Sequence, residues 1–188
     1  MPIIDHFGLI ASIYDHAIPL REVEQYIRLI ELPVRGRLLD VGGGTGRVAK
    51  ALMGKVSQAI VVDESMGMLS QAKIKDGLSL ACSHSEALPF PADYFERVIM
   101  VDALHHVRNQ QTSVGEIWRV VKPGGLVVIL EPDVRRLSVK VLAILEKVLL
   151  MRSHFLSPER IAQLFGSPNA ELRIVEDGFN AWVCIRKI

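Results

Sequence analysis

A carboxylate followed by a run of glycines is the feature of this sequence with the clearest chemistry. Residues 38–41 form an apolar strand pattern that contains Asp40, and Gly42-Gly43-Gly44-Thr45-Gly46 then leads into a helical pattern. Glycine lets the backbone adopt positive φ and lets a ligand approach the main chain closely. The helix that follows offers unpaired N–H groups in its first turn. The segment therefore predicts a binding site for a nucleotide-like ligand.

The charge of Asp40 bears on which ligand this is. The spacing Gly44-x-Gly46-x-x-Ala49 is a variant of the dinucleotide fingerprint, in which a pyrophosphate approaches bare amides. A carboxylate just before the glycines would repel a pyrophosphate and attract a cation. A plain glycine turn in an α/β domain is the third interpretation, because turns of this kind are shared between ligands.

Composition and charge exclude several classes of protein. The chain has 188 residues, which predicts one domain, and its 22 basic and 21 acidic residues leave a formal charge of +1. No run of like charge stands out, so the sequence does not predict capture of nucleic acid or of an anionic membrane. No apolar run approaches the roughly 20 residues of a membrane span, and the N-terminus lacks a signal-peptide pattern. Cys82 and Cys184 have no metal-binding spacing, so we expect inert thiols in the cytoplasm.

Strand and helix patterns alternate from Arg37 onward, after a helical stretch at 3–31. Nearly continuous apolar strands are typical of sheets that helices cover on both faces, and alternating units predict right-handed crossovers. We therefore predict an α/β, doubly wound, mostly parallel seven-stranded sheet with a C-terminal antiparallel hairpin strand. The predicted strands are 37–41, 59–63, 78–82, 97–101, 126–130 and two within 171–187, and the predicted helices are 46–54, 65–76, 110–121, 135–151 and one from 157. The expected parts are a helical cap at 1–31, a binding core at 36–131, a helical cover at 132–156 and a C-terminal helix and hairpin at 157–188.

Acidic residues recur where these strands end. Asp40, Asp63, Asp102 and Glu131 all lie at predicted carboxyl ends. Ligands of doubly wound sheets bind outside these ends, so we expect the four acids to line one site. A solvated loop residue is the alternative for each, and for Glu131 the two interpretations are equally compatible with the sequence.

Several segments together resemble the class I S-adenosylmethionine-dependent methyltransferases. Asp40-x-Gly42-x-Gly44-x-Gly46 is similar to motif I of this family, whose cofactor has an ammonium, a sulfonium and no phosphate. Within the family, the N-terminal segment resembles the F-D-x-I-A-x-x-Y-D of the ubiquinone/menaquinone-biosynthesis-type group. The matching segments, in family order and spacing, are 7–15, 63–69, 85–91, 101–107 and 118–125.

The resemblance implies S-adenosylmethionine as cofactor, a Rossmann-like methyltransferase fold and a set of binding residues. Asp63 would hold the ribose hydroxyls, and His84 stands where many members have an aspartate that binds the adenine amine. Tyr14 would cover the cofactor, or would only pack its helix onto the sheet. The full set of implied cofactor-binding residues is Tyr14, Asp40, Gly42, Gly44, Thr45, Gly46, Asp63, Glu64, Met68, His84, Ser85, Glu86 and Asp102.

His105 and His106 follow the fourth strand, where cofactor and acceptor would meet. One of them could act as a general base, or both could be structural, because methyl transfer can rest on alignment and a desolvated site. No third ligand lies at metal-binding spacing, so we expect no metal. The predicted function is methyl transfer to a small or lipophilic acceptor by a monomer or homodimer. The alternatives are a nicotinamide-dependent oxidoreductase, although no Tyr-x-x-x-Lys pair is present, and a non-catalytic cofactor-binding protein on the same fold.

Overall fold

The computed structural model describes residues 22–148 and 153–188 together with Gly8, Ala11, Asp15 and Leu20, without the side chains of 142 and 145–148. Most of the predicted helical cap, including Tyr14, lies outside the described residues. The strands are β1 (Arg37–Val41), β2 (Gln58–Asp63), β3 (Ser79–Cys82), β4 (Phe95–Val101), β5 (Val121–Pro132), β6 (Ala170–Asp177) and β7 (Asn180–Lys187). The helices are α1 (Val23–Leu29), α2 (Arg47–Ala51), α3 (Met66–Lys73), α4 (Gln110–Val120), α5 (Leu137–Val148) and α6 (Pro158–Leu164), with one 3₁₀ turn at Leu104–His106.

One seven-stranded sheet organises these elements, in the order β3-β2-β1-β4-β5-β7-β6. The pairs from β3 to β5 are parallel, while β7 runs antiparallel between β5 and β6. The order reverses between β1 and β4, where doubly wound folds have their ligand crevice. The predicted fold class is therefore confirmed, including the antiparallel hairpin at the C-terminal end.

Apolar side chains fill both faces of the sheet, as expected for strands covered by helices on both sides. Along β1, Leu39 and Val41 face one cluster and Leu38 faces the other. The first cluster receives Val114 and Ile117 of α4, and the second receives helix α1. This packing holds the carboxyl ends of β1, β2, β4 and β5 side by side.

The start of β5 differs from the prediction. The sequence Lys122-Pro123-Gly124-Gly125 predicted a break after α4 and a strand from 126, but β5 begins at Val121. Val121 pairs with Phe95, and the register then shifts so that Leu126 pairs with Arg97. Residues 122–125 form an irregularity within the strand, because β5 pairs with β4 both before and after them.

Candidate functional site

Four acidic residues lie along one edge of the sheet. Asp40, Asp63 and Glu131 occupy the carboxyl-terminal parts of β1, β2 and β5, and Asp102 follows β4 directly. These strands are neighbours, so the sequence-based grouping is correct. A nearby cation is Arg47 of α2, whose guanidinium lies 3.7 Å from an Asp102 oxygen. The excess of carboxylates favours a cationic ligand over a phosphate.

The glycine turn after β1 is shaped by two different constraints. Gly42, Gly44 and Gly46 have φ of 66°, 56° and 71°, a region that side chains disfavour. A Cβ on Gly42 would lie 2.7 Å from the Cβ of Ala103, and one on Gly46 would lie 2.7 Å from Cδ1 of Leu78. Among the residues that the structure describes, a Cβ on Gly44 would meet only the Met68 sulfur, at 3.9 Å. Gly44 therefore leaves its backbone open to close approach by a ligand.

The carboxylate of Asp40 lies beneath this turn. Its side chain is 1% exposed, and neither oxygen accepts a well-formed hydrogen bond from any residue that the structure describes. Burial raises the pKa of Asp40 to about 7, and the nearby Asp63 charge adds to the effect. The Ala49 amide and the Arg47 charge act in the opposite direction. A buried carboxylate without a partner is costly, which points to a group that completes it.

Asp63 has both carboxylate oxygens engaged by backbone amides. One oxygen accepts from the Gly44 N–H at 2.9 Å, and the other accepts from the Ser65 N–H at 2.8 Å. Ser65 in turn caps α3 by accepting from the Met68 N–H at 3.2 Å. These bonds fix the carboxylate between the glycine turn and α3.

The loop after β3 is tied to both α4 and the residue after Asp63. The His84 ring nitrogen Nδ1 lies 2.6 Å from a Glu64 oxygen, and both side chains are about two-thirds exposed. The Ser85 hydroxyl lies 2.7 Å from the Ser113 hydroxyl. Glu86 accepts from the Asn109 N–H at 3.1 Å, just before α4 begins. Of the three predicted adenine-edge residues, His84 therefore borders Glu64, while Ser85 and Glu86 border the first turns of α4.

The turn after β4 carries a strained acid. Asp102 has a φ of 51°, and a third of its side chain is exposed. Burial of the rest and the neighbouring Glu131 charge raise the pKa of Asp102 to about 6. A non-glycine residue in this conformation is uncommon and is held by its surroundings, in this case by the Asp102 N–H, which donates to the Leu130 carbonyl at 2.9 Å.

Glu131 organises the 3₁₀ turn that contains both histidines. One of its oxygens accepts from the amides of Ala103 and Leu104 at 2.9 and 2.7 Å, and the other lies 2.5 Å from Nδ1 of His105. The His105 ring stacks on Phe155, with 4.3 Å between ring centroids. The Glu131 contact at Nδ1 and the stacking on Phe155 together fix the orientation of the His105 ring. The second ring nitrogen, Nε2, lies on the opposite side of the ring from Nδ1.

His106 occupies a different environment from its neighbour. Burial and the adjacent His105 lower the pKa of His106 to about 3. Its Nδ1 lies 3.3 Å from the Ser153 hydroxyl. His106 is therefore neutral near pH 7 and is a weak base there.

Residues near the N-terminus also reach the glycine turn. The Thr45 hydroxyl donates to Asp15, and the Lys75 ammonium lies 2.7 Å from the other Asp15 oxygen. Lys75 also donates to the Thr45 carbonyl at 2.8 Å. Thr45, predicted as a ligand residue, thus also binds Asp15.

Two residues at this edge, Asp15 and Arg47, were not predicted as site residues, and Glu131 was placed at a strand end but was given no role. The position of Glu131 at a strand end was recognisable, and Arg47 is the first residue of the helix after the glycines. Their partners, Asp102 for Arg47 and His105 for Glu131, come from other strands and depend on the sheet order.

Over the described parts of the chain, no group of three or more potential metal ligands is found. No helix within those parts is long and apolar enough to cross a membrane.

Comparison with known proteins agrees with this geometry. Residues 39–129 match the methyltransferase domain family. The ubiquinone/menaquinone biosynthesis C-methyltransferase UbiE of Coxiella burnetii is 35% identical over 105 residues, which cover 50% of this chain and 42% of that protein. Residues 39–129 are thus similar to methyltransferase domains, and the curated relatives that match this chain are C-methyltransferases of the UbiE type. These matches agree with the family and the cofactor that the sequence motifs predicted.

Solved structures of other proteins share the fold of this chain. A chain from the complex of the Haloferax volcanii Trm112 methyltransferase activator with a methyltransferase superimposes with a TM-score of 0.81 at 17% identity, over 98% of this chain and 99% of that one. DhpI, solved as a complex with SAH, superimposes with a TM-score of 0.70 at 19% identity, over 97% of this chain and 93% of that one. The chain spans less than half the length of the curated relatives it matches.

Proposed function

We propose that this protein is an S-adenosylmethionine-dependent methyltransferase that acts on a small, lipophilic acceptor, with residues 1–188 forming one domain. The observation that carries the proposal is the buried Asp40 carboxylate, which has no well-formed hydrogen bond from a described residue and lies under an open glycine turn. An ammonium group is a suitable partner for such a carboxylate, because its positive charge stabilises the ionised form that burial disfavours. A pyrophosphate would be repelled at the same place.

The site residues divide by the part of the cofactor that each would hold. Asp40, Gly42, Gly44, Thr45 and Gly46 would bind the methionine part, with the Gly44 backbone in closest approach. Asp63 would accept both ribose hydroxyls, since amide donors already fix its carboxylate. The residues proposed for the adenine end and its rim are Glu64, Met68, His84, Ser85 and Glu86, and Tyr14 is proposed as a cover.

The bound cofactor would supply an electrophilic methyl group on a sulfonium. The chain's own contribution is then to align an acceptor at the turn after β4 and to exclude water from it. Asp102, Arg47 and the two histidines border this place. His105 is oriented by Glu131, so it is the better candidate to hold or remove an acceptor proton, whereas His106 is too weakly basic.

The acceptor class rests on the relatives and on one helix. The UbiE relatives are named as C-methyltransferases of ubiquinone and menaquinone biosynthesis, which favours a ring carbon of a lipophilic quinone-type precursor. Helix α5 follows β5 and exposes Leu137, Val141 and Ile144 at helical spacing. An apolar stripe of this kind on the helix that follows β5 supports a lipophilic acceptor.

Titration calorimetry tests the cofactor assignment before an acceptor is known. S-adenosylhomocysteine should bind with a Kd in the micromolar range, about −8 kcal/mol, and NAD should bind more weakly. Asp63→Asn should weaken binding by about 1–3 kcal/mol, while Lys73→Glu, at an exposed position of α3, serves as the control. Tighter binding of NAD would overturn the proposal. A radiolabelled-methyl assay with quinone-ring precursors then tests the acceptor class separately.

A further inference from the structure

Strand β6 forms one edge of the sheet, and among the described strands its one neighbour is β7. The Ile188 N–H donates to the Asn169 carbonyl at 2.8 Å, and 170 pairs with 187. In an antiparallel pair, the residues whose N–H and C=O groups face the partner alternate along the strand. The backbone groups of Glu171 and Arg173 therefore face β7. Those of Leu172 and Ile174 face away from it, toward the open edge.

Two side chains at this edge, Glu171 and Arg173, carry opposite charges and have no described partner. Glu171 and Arg173 are both exposed, and no residue that the structure describes forms a hydrogen bond or an ion pair with either side chain. Farther along β6, Glu176 binds Arg135 and Arg136, and Asp177 accepts from Gln25 and Trp182. Glu176 and Asp177 therefore have side-chain partners among the described residues, whereas Glu171 and Arg173 have none.

We propose that β6 pairs antiparallel with β6 of a second copy of this chain, about a two-fold axis at Leu172. In this register Leu172 lies opposite Leu172 of the other copy, and the two exchange backbone hydrogen bonds. Glu171 then lies opposite Arg173 of the other copy, twice by symmetry. These are non-hydrogen-bonded positions, where facing side chains approach most closely and opposite charges stabilise the pair.

The charges also select this register over its neighbours. An axis shifted by one residue toward the start of β6 places Glu171 opposite itself, and a shift toward the end places Arg173 opposite itself. Like charges directly opposite each other destabilise strand pairs. Only the axis at Leu172, of these three, brings unlike charges together on both sides.

The other face of β6 provides apolar surface for the same interface. Leu172 and Ile174 are 48% and 37% exposed. They line an open groove of about 510 Å³ between β6 and α6, together with Ala162 and Phe165. In the proposed register Ile174 lies beside Ala170 of the other copy, so both grooves become one apolar surface across the axis. Strand pairing buries less area than a large obligate interface, so we expect a reversible dimer with a Kd on the order of micromolar.

Sedimentation velocity over a range of concentrations tests the proposal with charge reversals. The wild-type protein should convert from monomer to dimer as concentration rises. Glu171→Arg and Arg173→Glu should each raise the dimer Kd at least about tenfold, because each places like charges opposite each other twice. Glu24→Arg and Lys73→Glu, reversals of the same kind at exposed helical positions, should leave the Kd unchanged.

Two rescue experiments distinguish the specific register from general repulsion. A mixture of the Glu171→Arg and Arg173→Glu variants should form a heterodimer, since positions 171 and 173 are both positive in the first variant and both negative in the second. The double variant E171R/R173E should dimerise again with nearly the wild-type Kd. A wild-type protein that stays monomeric, single variants that dimerise normally, or failure of both rescues would each overturn the proposal. Binding of S-adenosylhomocysteine is measured in parallel and should not change, so this result stays separate from the proposed function.

Discussion

His105 and Glu131 share a 2.5 Å contact between Nδ1 and a carboxylate oxygen, while the second Glu131 oxygen accepts two backbone amides. Glu131 is 4% exposed and belongs to β5, whereas the histidine and the amides belong to the turn after β4. One side chain thus joins two neighbouring strand ends at the place where an acceptor would bind.

Replacing Glu131 should therefore affect stability more than an ordinary charged residue does. Glu131→Gln keeps an oxygen for the amides of Ala103 and Leu104 but loses the charge, and should lower the free energy of unfolding by about 1–3 kcal/mol. Glu131→Ala leaves the buried amide donors unpaired and should lower the free energy of unfolding further. Urea unfolding measures both, with Glu24→Gln as an exposed control that should change stability by less than about 0.5 kcal/mol. Equal effects of Glu131→Gln and the control would contradict this interpretation.

Asp40 should make the cofactor-free protein less stable as pH rises. Its pKa is raised from 3.8 to about 7 in the folded state, so the folded state binds this proton more tightly than the unfolded state. The resulting stabilisation is complete below about pH 4 and is lost as pH rises through 7, by up to about 4 kcal/mol at 1.36 kcal/mol per pKa unit. Asp40→Asn should therefore be more stable than the wild type at pH 8, and the difference should shrink near pH 5.

The same variant should bind the cofactor less well. Asp40→Asn removes the negative charge that would accept the ammonium group, so calorimetry should show weaker binding of S-adenosylhomocysteine despite the higher stability. In the wild type, affinity should rise between about pH 6 and 8 as Asp40 ionises, and Asp40→Asn should lack this rise. A variant that binds as tightly as the wild type at pH 8 would remove Asp40 from the site.

Gly42 and Gly44 should respond differently to alanine. Both have positive φ, which costs an alanine about 1–2 kcal/mol. Gly42→Ala also brings its Cβ to 2.7 Å from that of Ala103, so it should destabilise more, and adding Ala103→Gly should recover part of the loss. Gly44→Ala has space for its Cβ and should lose mainly cofactor affinity. Thermal unfolding and calorimetry separate the two effects, and identical behaviour of the two variants would argue against a ligand at Gly44.

The two histidines should differ in catalysis if either acts as a base. General-base catalysis typically contributes 10²–10⁴-fold, so a base should show a loss of about 10²-fold or more in kcat on replacement by alanine. His106, with a pKa near 3, should lose less than about tenfold. His105→Ala and His106→Ala are compared at saturating cofactor. A loss under about tenfold in both would assign catalysis to alignment and desolvation. A large loss for His106 alone would contradict its assignment as a weak base.

The sequence predicted those features that depend on local pattern. The strand that ends near Asp40, the glycine turn and the placement of Asp63 at the next strand end all follow from apolar periodicity and glycine spacing. The partners of Arg47 and Glu131 were not predictable, because they depend on β1, β4 and β5 lying side by side. The start of β5 was placed at 126 because Pro and Gly usually end an element, whereas Phe95 of β4 extends the pairing to Val121.

The position of β7 has a consequence for how this protein is made. Because β7 lies between β5 and β6, the long apolar strand β5 has an unpaired edge until residues 180–187 have left the ribosome. Strands β6 and β7 form a hairpin of local contacts, so they can associate with each other before they reach β5. Nascent chains are therefore most exposed to aggregation through β5, in the interval between synthesis of residue 132 and docking of this hairpin.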